Sequence, residues 1–232
     1  MRNLLLMSSS KAGDSGYLEH GKPWLTEHFR DKEVIFIPYA GVTMSHSDYT
    51  QKVSAALADT GIKVRGIEAF ADAKAAIKNA EGIAVGGGNT FVLLDLLYKK
   101  GLIDPIKRKI TEGTPYAGWS AGSNIAGLSI KTTNDMPIVQ PPSFSALAAV
   151  NFQLNPHYID THPPGFHGET RAQRLAEFMM LNPATTIVGI REGTALRIKG
   201  KNMQLLGALN AVAFRDGREL TLTAGKDCSS YL

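Results

Sequence analysis

A chain of 232 residues, 44% hydrophobic and 20% charged, can bury a real core and carries no mark of a disordered, collagenous or coiled-coil protein. The net charge of +4 and pI near 9.1 come from dispersed basic residues. The densest cluster, Lys107 to Lys109, falls among apolar helix positions and reads as a solvated face, not a nucleic-acid stripe, so the charge does no more than gather small anions. A single cysteine, Cys228, excludes an intramolecular disulfide and a cysteine-rich metal cluster.

The chain opens with Met1 to Ser8, whose apolar run falls short of the roughly 7–15 residues of a signal-peptide core. No stretch approaches the ~20 apolar residues of a membrane span, and a soluble cytoplasmic protein is expected. Leu4 to Met7, Val34 to Ile37, Ile83 to Val85 and Ile187 to Ile190 read as buried parallel strands, because they are apolar on both faces. Between them run stretches of helical period. Tyr49, Val53, Ala56 and Leu57 form one stripe, opened by Ser45 and Asp48. Thr90 to Lys100, Leu102 to Glu112 and Thr170 to Leu181 form three more, and Gly61, Gly101 and Gly113 are C-cap candidates. After residue 194 the pattern shortens. Thr194 to Ile198, Met203 to Leu206, Ala211 to Phe214 and Leu220 to Leu222, divided by Lys199 to Asn202 and Asp216-Gly217, predict antiparallel strands. The fold class is α/β, a mostly parallel central sheet flanked by helices on both faces with short antiparallel strands near the C-terminus, expected as one domain over residues 1–232.

Chemistry concentrates in Gly118-Trp119-Ser120-Ala121-Gly122, a strand that turns sharply into a helix with Ser120 at the bend. In such a nucleophile elbow the flanking glycines admit a close backbone approach and the hydroxyl is pushed into a cleft. The competing reading is a serine N-cap after a tight turn. A serine needs a base. His20, His28 and His46 fall in early segments and read as solvated side chains. His157 follows a predicted strand, Leu147 to Leu154, and sits in a turn at the C-terminal sheet edge, where open α/β folds bind ligands; His162 and His167 compete with it. The acid that fixes the base's tautomer is Asp135, Asp160 or Glu192. Glu192 stands at the C-terminal end of the strand ending at Ile190, or is merely a turn carboxylate beside Arg191.

The run Gly86-Gly87-Gly88-Asn89-Thr90 lies between a buried strand and a helix. Phe91 breaks the dinucleotide fingerprint and no P-loop lysine follows, so the better use is an oxyanion hole made by the amides of Gly88 and Ala121. Arg171 and Arg174 stand near the start of a helix, where positive charge is disfavoured. Either an acidic substrate group compensates Arg171 or it pairs with Glu169.

These segments, with Asn134-Asp135-Met136-Pro137, Asn155-Pro156-His157 and Arg191-Glu192-Gly193, closely resemble peptidase E, the aspartyl dipeptidases that cleave dipeptides with an unblocked N-terminal aspartate. The resemblance covers essentially the whole chain. It implies a class I glutamine amidotransferase-like fold, a catalytic set of Ser120, His157 and Glu192, and a serine dipeptidase acting on Asp-Xaa through an acyl-enzyme. It also implies that Arg171 reads the substrate carboxylate and that Asp135, with Asn89, joins the substrate site. No cofactor or metal is implied. The partner is a small dipeptide, with neither nucleic acid nor membrane, and a homodimer is compatible with the sequence. An α/β-hydrolase would place its histidine last, yet none occurs beyond His167; an amidotransferase would carry cysteine at position 120 and usually a His-x-Glu pair, whereas Tyr158-Ile159 follows His157. Two alternatives stand beside the dipeptidase: a cyanophycinase-like peptidase acting on aspartate-rich polymer, and a catalytically silent ligand-binding protein on the same scaffold.

Overall fold

A computed structural model describes residues 1–161, 165 and 167–232. The parallel core of the main sheet is β3 (Lys63–Gly66), β2 (Glu33–Ile37), β4 (Gly82–Val85), β5 (Tyr116–Trp119) and β1 (Asn3–Met7), in that order. Two antiparallel strands, β8 (Ala195–Lys199) and β9 (Asn202–Leu206), extend it beyond β1. The near-continuous apolar runs have a simple cause. Successive strand residues face opposite sides, and both sides are covered. Leu4, Leu6, Ile35, Ile37, Ile83 and Val85 enter one core; Leu5, Met7, Val34, Phe36, Ala84 and Trp119 enter another.

The first core is closed by α3 (Ala73–Asn79), α4 (Thr90–Lys99) and α5 (Ile103–Glu112), through Ile77, Leu93, Leu94, Leu97, Ile106 and Ile110. The second is closed by α1 (Lys22–Phe29) and α2 (His46–Ala56), through Leu25, Phe29, Tyr49 and Val53. Each fully buried Leu or Phe contributes roughly 1.5–3 kcal/mol before its ordering cost. The helix starts follow side-chain chemistry. Ser45 accepts from the Asp48 amide, Asp72 from those of Lys74 and Ala75, and Asn89 from that of Val92. Gly113 ends α5 in the left-handed conformation its sequence position predicts. No helix among the described residues is long and apolar enough to cross a membrane.

A second sheet differs from expectation. Ile187 to Ile190 does not join the main sheet. Its core is β7 (Ile187–Gly189), paired parallel with β6 (Gln153–Asn155) and antiparallel with β10 (Ala211–Arg215), with β11 (Arg218–Leu222) outermost. One face, with Val188, Leu154 and Ala213, shares the first core with the main sheet; the other, with Ile187, Val212 and Phe214, packs on Leu175 of α7 (Arg171–Leu181). Two-sided burial looks the same in either sheet. The antiparallel strands predicted near the C-terminus are present but divide between the two sheets.

Two further readings are corrected, and two helices are added. Of the strand predicted over Leu147 to Leu154 only Gln153–Asn155 is extended. The preceding residues are a loop, buried except at Ala148 and Asn151, whose amides close the carbonyls after Asn124: Leu147 donates to Ile125, Ala149 to Ala126 and Ala148 to Gly127. Apolar composition reported burial there, not extension. α1 and α3, too short and weakly periodic to stand out, were not foreseen. His20 and His28 are not solvated. His28 is buried with Nε2 3.1 Å from the Tyr116 carbonyl, and burial pushes it down to about 4. His20 lies edge-on to Trp24 with both ring nitrogens shut off from solvent and unpartnered among the described residues.

Candidate active site

The site is assembled at the C-terminal edge of the parallel strands. β5 ends at Trp119, and Ser120 turns the chain at φ 53° and ψ −116° into the four-residue helix α6 (Ala121–Asn124). A non-glycine residue held there costs of order 1–3 kcal/mol, and surrounding contacts must over-determine it. They do. A Cβ at Gly118 would collide with the Gly122 carbonyl, and one at Gly122 with the Val85 carbonyl, so both glycines are required by space. The Ser123 hydroxyl lies 2.6 Å from the Met7 carbonyl and 2.8 Å from that of Gly118. Tyr116 donates its hydroxyl to the Gly122 carbonyl at 2.6 Å, and the Ser120 amide donates to Met7 at 3.2 Å. The elbow is thereby pinned to β1 and β5 and packed closely on β4.

His157, the second non-glycine site residue at positive φ (55°), follows β6. Its Nε2 is 2.9 Å from Ser120 Oγ and its Nδ1 is 2.7 Å from Glu192 Oε1. An ionised carboxylate can only accept, so Nδ1 carries the proton toward Glu192 and Nε2 is left to accept from the serine hydroxyl. Glu192 comes from the turn after β7, the strand paired with β6. Ser8, just past β1, donates its hydroxyl to the Ile190 carbonyl at 2.9 Å and accepts the His157 amide at 2.9 Å. That side chain, missed by sequence reasoning, ties the main sheet to the histidine turn.

The competing acids are engaged elsewhere. Asp160 is held by the Arg191 guanidinium, with Nε at 2.8 Å, and this bond keeps its carboxyl below the usual range. Asp135 Oδ2 accepts from the Thr90 amide at 2.8 Å, the Thr90 hydroxyl at 2.5 Å and the Thr133 hydroxyl at 3.2 Å, at the start of α4. Among the competing bases, His167 is exposed and His162 lies outside the described residues.

The glycine run flanks the serine. A Cβ at Gly87 would stand 2.9 Å from Ser120 Cβ, and Gly88 adopts φ 134° with no room for a side chain against Ala40. The amides of Gly88 and Ala121 make no hydrogen bond among the described residues. Asn89 is engaged at both ends of its side chain, accepting from Val92 and donating to the Met136 carbonyl at 2.9 Å.

On the other side, Arg171 Nη1 donates to Asn134 Oδ1. Asn134 also accepts from Asn155 Nδ2 at 2.7 Å and donates to the Pro156 carbonyl at 2.7 Å, so the arginine is aimed by the turn that carries His157. Burial, then the nearby Arg174, draws Arg171 below the ordinary arginine range; its Nε is enclosed and unpartnered. Arg174 takes Glu169, at 3.7 Å, and no carboxylate salt-bridges Arg171 among the described residues. Asn134 and Asn155 both sat in segments singled out from sequence, but nothing local showed that they bond each other. No three His, Cys, Asp or Glu side chains among the described residues converge as a metal site.

Comparison with known proteins adds to this geometry. Residues 4–206 match the model of peptidase family S51. Peptidase E of Shewanella amazonensis is 51% identical over 232 residues, spanning 98% of this chain and 98% of that protein, and peptidase E of Shewanella denitrificans is 49% identical, spanning 99% of each. A candidate peptidase E from Listeria monocytogenes EGD-e superposes with a TM-score of 0.69 at 28% identity, over 89% of this chain and 98% of that one. A peptidase from an acI-B1 actinobacterium gives 0.72 at 20% identity over 98% and 96%, and shows the fold alone. The chain belongs to peptidase family S51, a family of serine peptidases.

Proposed function

We propose that this serine peptidase hydrolyses dipeptides with a free N-terminal aspartate, using Ser120 as nucleophile, His157 as general base and acid, and Glu192 as the residue that orients the imidazole. The observation that carries the proposal is the row in which Ser120 Oγ, His157 Nε2, His157 Nδ1 and Glu192 Oε1 follow one another at 2.9 Å and 2.7 Å. His157 takes the serine proton as Oγ attacks the carbonyl carbon. The amides of Gly88 and Ala121 stabilise the oxyanion, each such donor being worth about 2.7–4 kcal/mol. Protonated His157 then gives its proton to the leaving amine, and the ester on Ser120 is released as aspartate when His157 activates water. Arg171 pairs with the substrate side-chain carboxylate, whose planar fork matches its own. Asp135 turns its other oxygen toward the substrate amine, and Asn89 serves by holding the loop between them.

We also place the protein in the cytoplasm, a reading supported by its single cysteine. The decisive experiment assays Asp-Leu, Glu-Leu, Asn-Leu and N-acetyl-Asp-Leu with native protein and Ser120→Ala. Asp-Leu turnover alone, lost at least a thousandfold in a variant of unchanged circular dichroism, is expected. Hydrolysis by the variant, or equal use of the acetylated substrate, contradicts the proposal.

A further inference from the structure

A cavity of about 400 Å³ is lined in part by Gly87 and Gly88, the run that flanks Ser120. Its walls include Tyr17, Val42, Met44, Tyr49 and Ile138, and among the described residues lining it the one charged side chain is Lys52. Val42, Met44 and Ile138 expose large apolar surfaces there. The lysine ammonium sits 4.4 Å from the centre of the Tyr17 ring, an arrangement that steadies a cation while leaving it open to an anion. The floor is fastened to the catalytic loop. Tyr49 donates to the Gly87 carbonyl at 2.9 Å and receives the Trp119 indole N–H at 3.3 Å, while Tyr17 and Tyr49 hydroxyls are 3.3 Å apart.

One strap connects the cavity to the arginine. Asn134 receives Arg171, Asp135 rests on Thr90, Met136 gives its carbonyl to Asn89, and Ile138 lines the cavity. Four residues span at most ~14 Å when extended. The partner of Arg171 and one wall of the cavity therefore belong to a single short strap. With one end cationic and polar, the apolar end is left for the part of the substrate that departs.

We propose that this cavity is the subsite for the released residue: its walls take an apolar side chain and Lys52 takes the free C-terminal carboxylate. The inference rests on the Asp-Xaa reading. A carboxylate on a solvent-facing lysine contributes modestly, so specificity for an apolar Xaa comes from the walls and specificity for chain length from Lys52.

The test measures kcat and KM for Asp-Leu, Asp-Leu amide and Asp-Gly with native protein, Lys52→Gln, Lys52→Arg and Met44→Ser. In Lys52→Gln the kcat/KM ratio of Asp-Leu over its amide falls about fivefold, through KM, and Lys52→Arg restores most of it. In Met44→Ser the ratio of Asp-Leu over Asp-Gly falls severalfold. If native protein cleaves Asp-Leu but neither ratio moves, the subsite is overturned and the aspartate reading stands. If native protein cleaves no Asp dipeptide, the aspartate reading falls and takes the subsite with it. Val42 and Met44 are exposed, so Val42→Ser serves as a second wall variant should Met44→Ser fold poorly.

Discussion

Arg171 is a guanidinium whose Nε is enclosed without a partner and whose only described bond goes to a neutral amide oxygen. No carboxylate is among the described groups that act on its charge, so a substrate carboxylate would supply the counter-charge the free protein lacks. Lysine cannot reproduce the fork. Arg171→Lys is therefore expected to lower kcat/KM for Asp-Leu roughly 10- to 100-fold, mostly in KM, and to shrink the preference of Asp-Leu over Asn-Leu. Steady-state kinetics on the two substrates check it, and equal losses on both remove Arg171 from specificity. At this scale the sequence was informative where chemistry needs a rare pattern. Ser120 stood out because an elbow announced it, whereas His157 and Glu192 were separated from their competitors only by the family resemblance. Ser8 did not, because its signal is two hydrogen bonds to residues about 150 to 180 positions away. Asn89 was noticed for its place after three glycines, yet that place marks a helix cap as readily as a ligand.

At the scale of elements, the elbow works because α6 approaches β4 and β5 more closely than side chains allow. Gly122→Ala would drive a methyl group into the Val85 carbonyl, a rigid strand atom that cannot step aside. Overpacking of this kind typically costs about 1–3 kcal/mol, which in a chain of this size lowers Tm by roughly 2–12 °C. Thermal unfolding by circular dichroism measures it, alongside a fall in Asp-Leu turnover as Ser120 shifts. An unchanged Tm with full activity shows that the elbow has slack. Elements were legible when hydrophobic period and a cap agreed, as in α2 with Ser45, or when the stripe was long, as in α7, whose Thr170–Gln173 capping box went unread. They were not when burial alone spoke, as over 147–152. There Leu147, Val150 and Phe152 are fully enclosed, yet in a loop whose amides serve the carbonyls at 125–127.

For the whole molecule, pH acts through His28. In the unfolded chain this imidazole binds a proton near 6.5, while in the fold burial holds it down to about 4. As pH falls through that interval the unfolded state gains the proton first, and stability is lost by about 3 kcal/mol. Urea midpoints taken from pH 7 to 4.5 should fall more steeply for native protein than for His28→Gln, which keeps a donor for the Tyr116 carbonyl. Parallel slopes show that other groups dominate. The division into two sheets was the least legible feature, since nothing local to Ile187 to Ile190 tells which neighbours it will find. That division has a mechanical meaning. Ser120 rides on the main layer, whereas His157 and Glu192 ride together on the paired strands of the other, and Ser8 is a rivet between them. The imidazole and its carboxylate are therefore carried by one pair of strands. Any slip between layers opens the single 2.9 Å gap to the hydroxyl while the 2.7 Å contact survives, making turnover a gauge of how tightly two slabs are clamped.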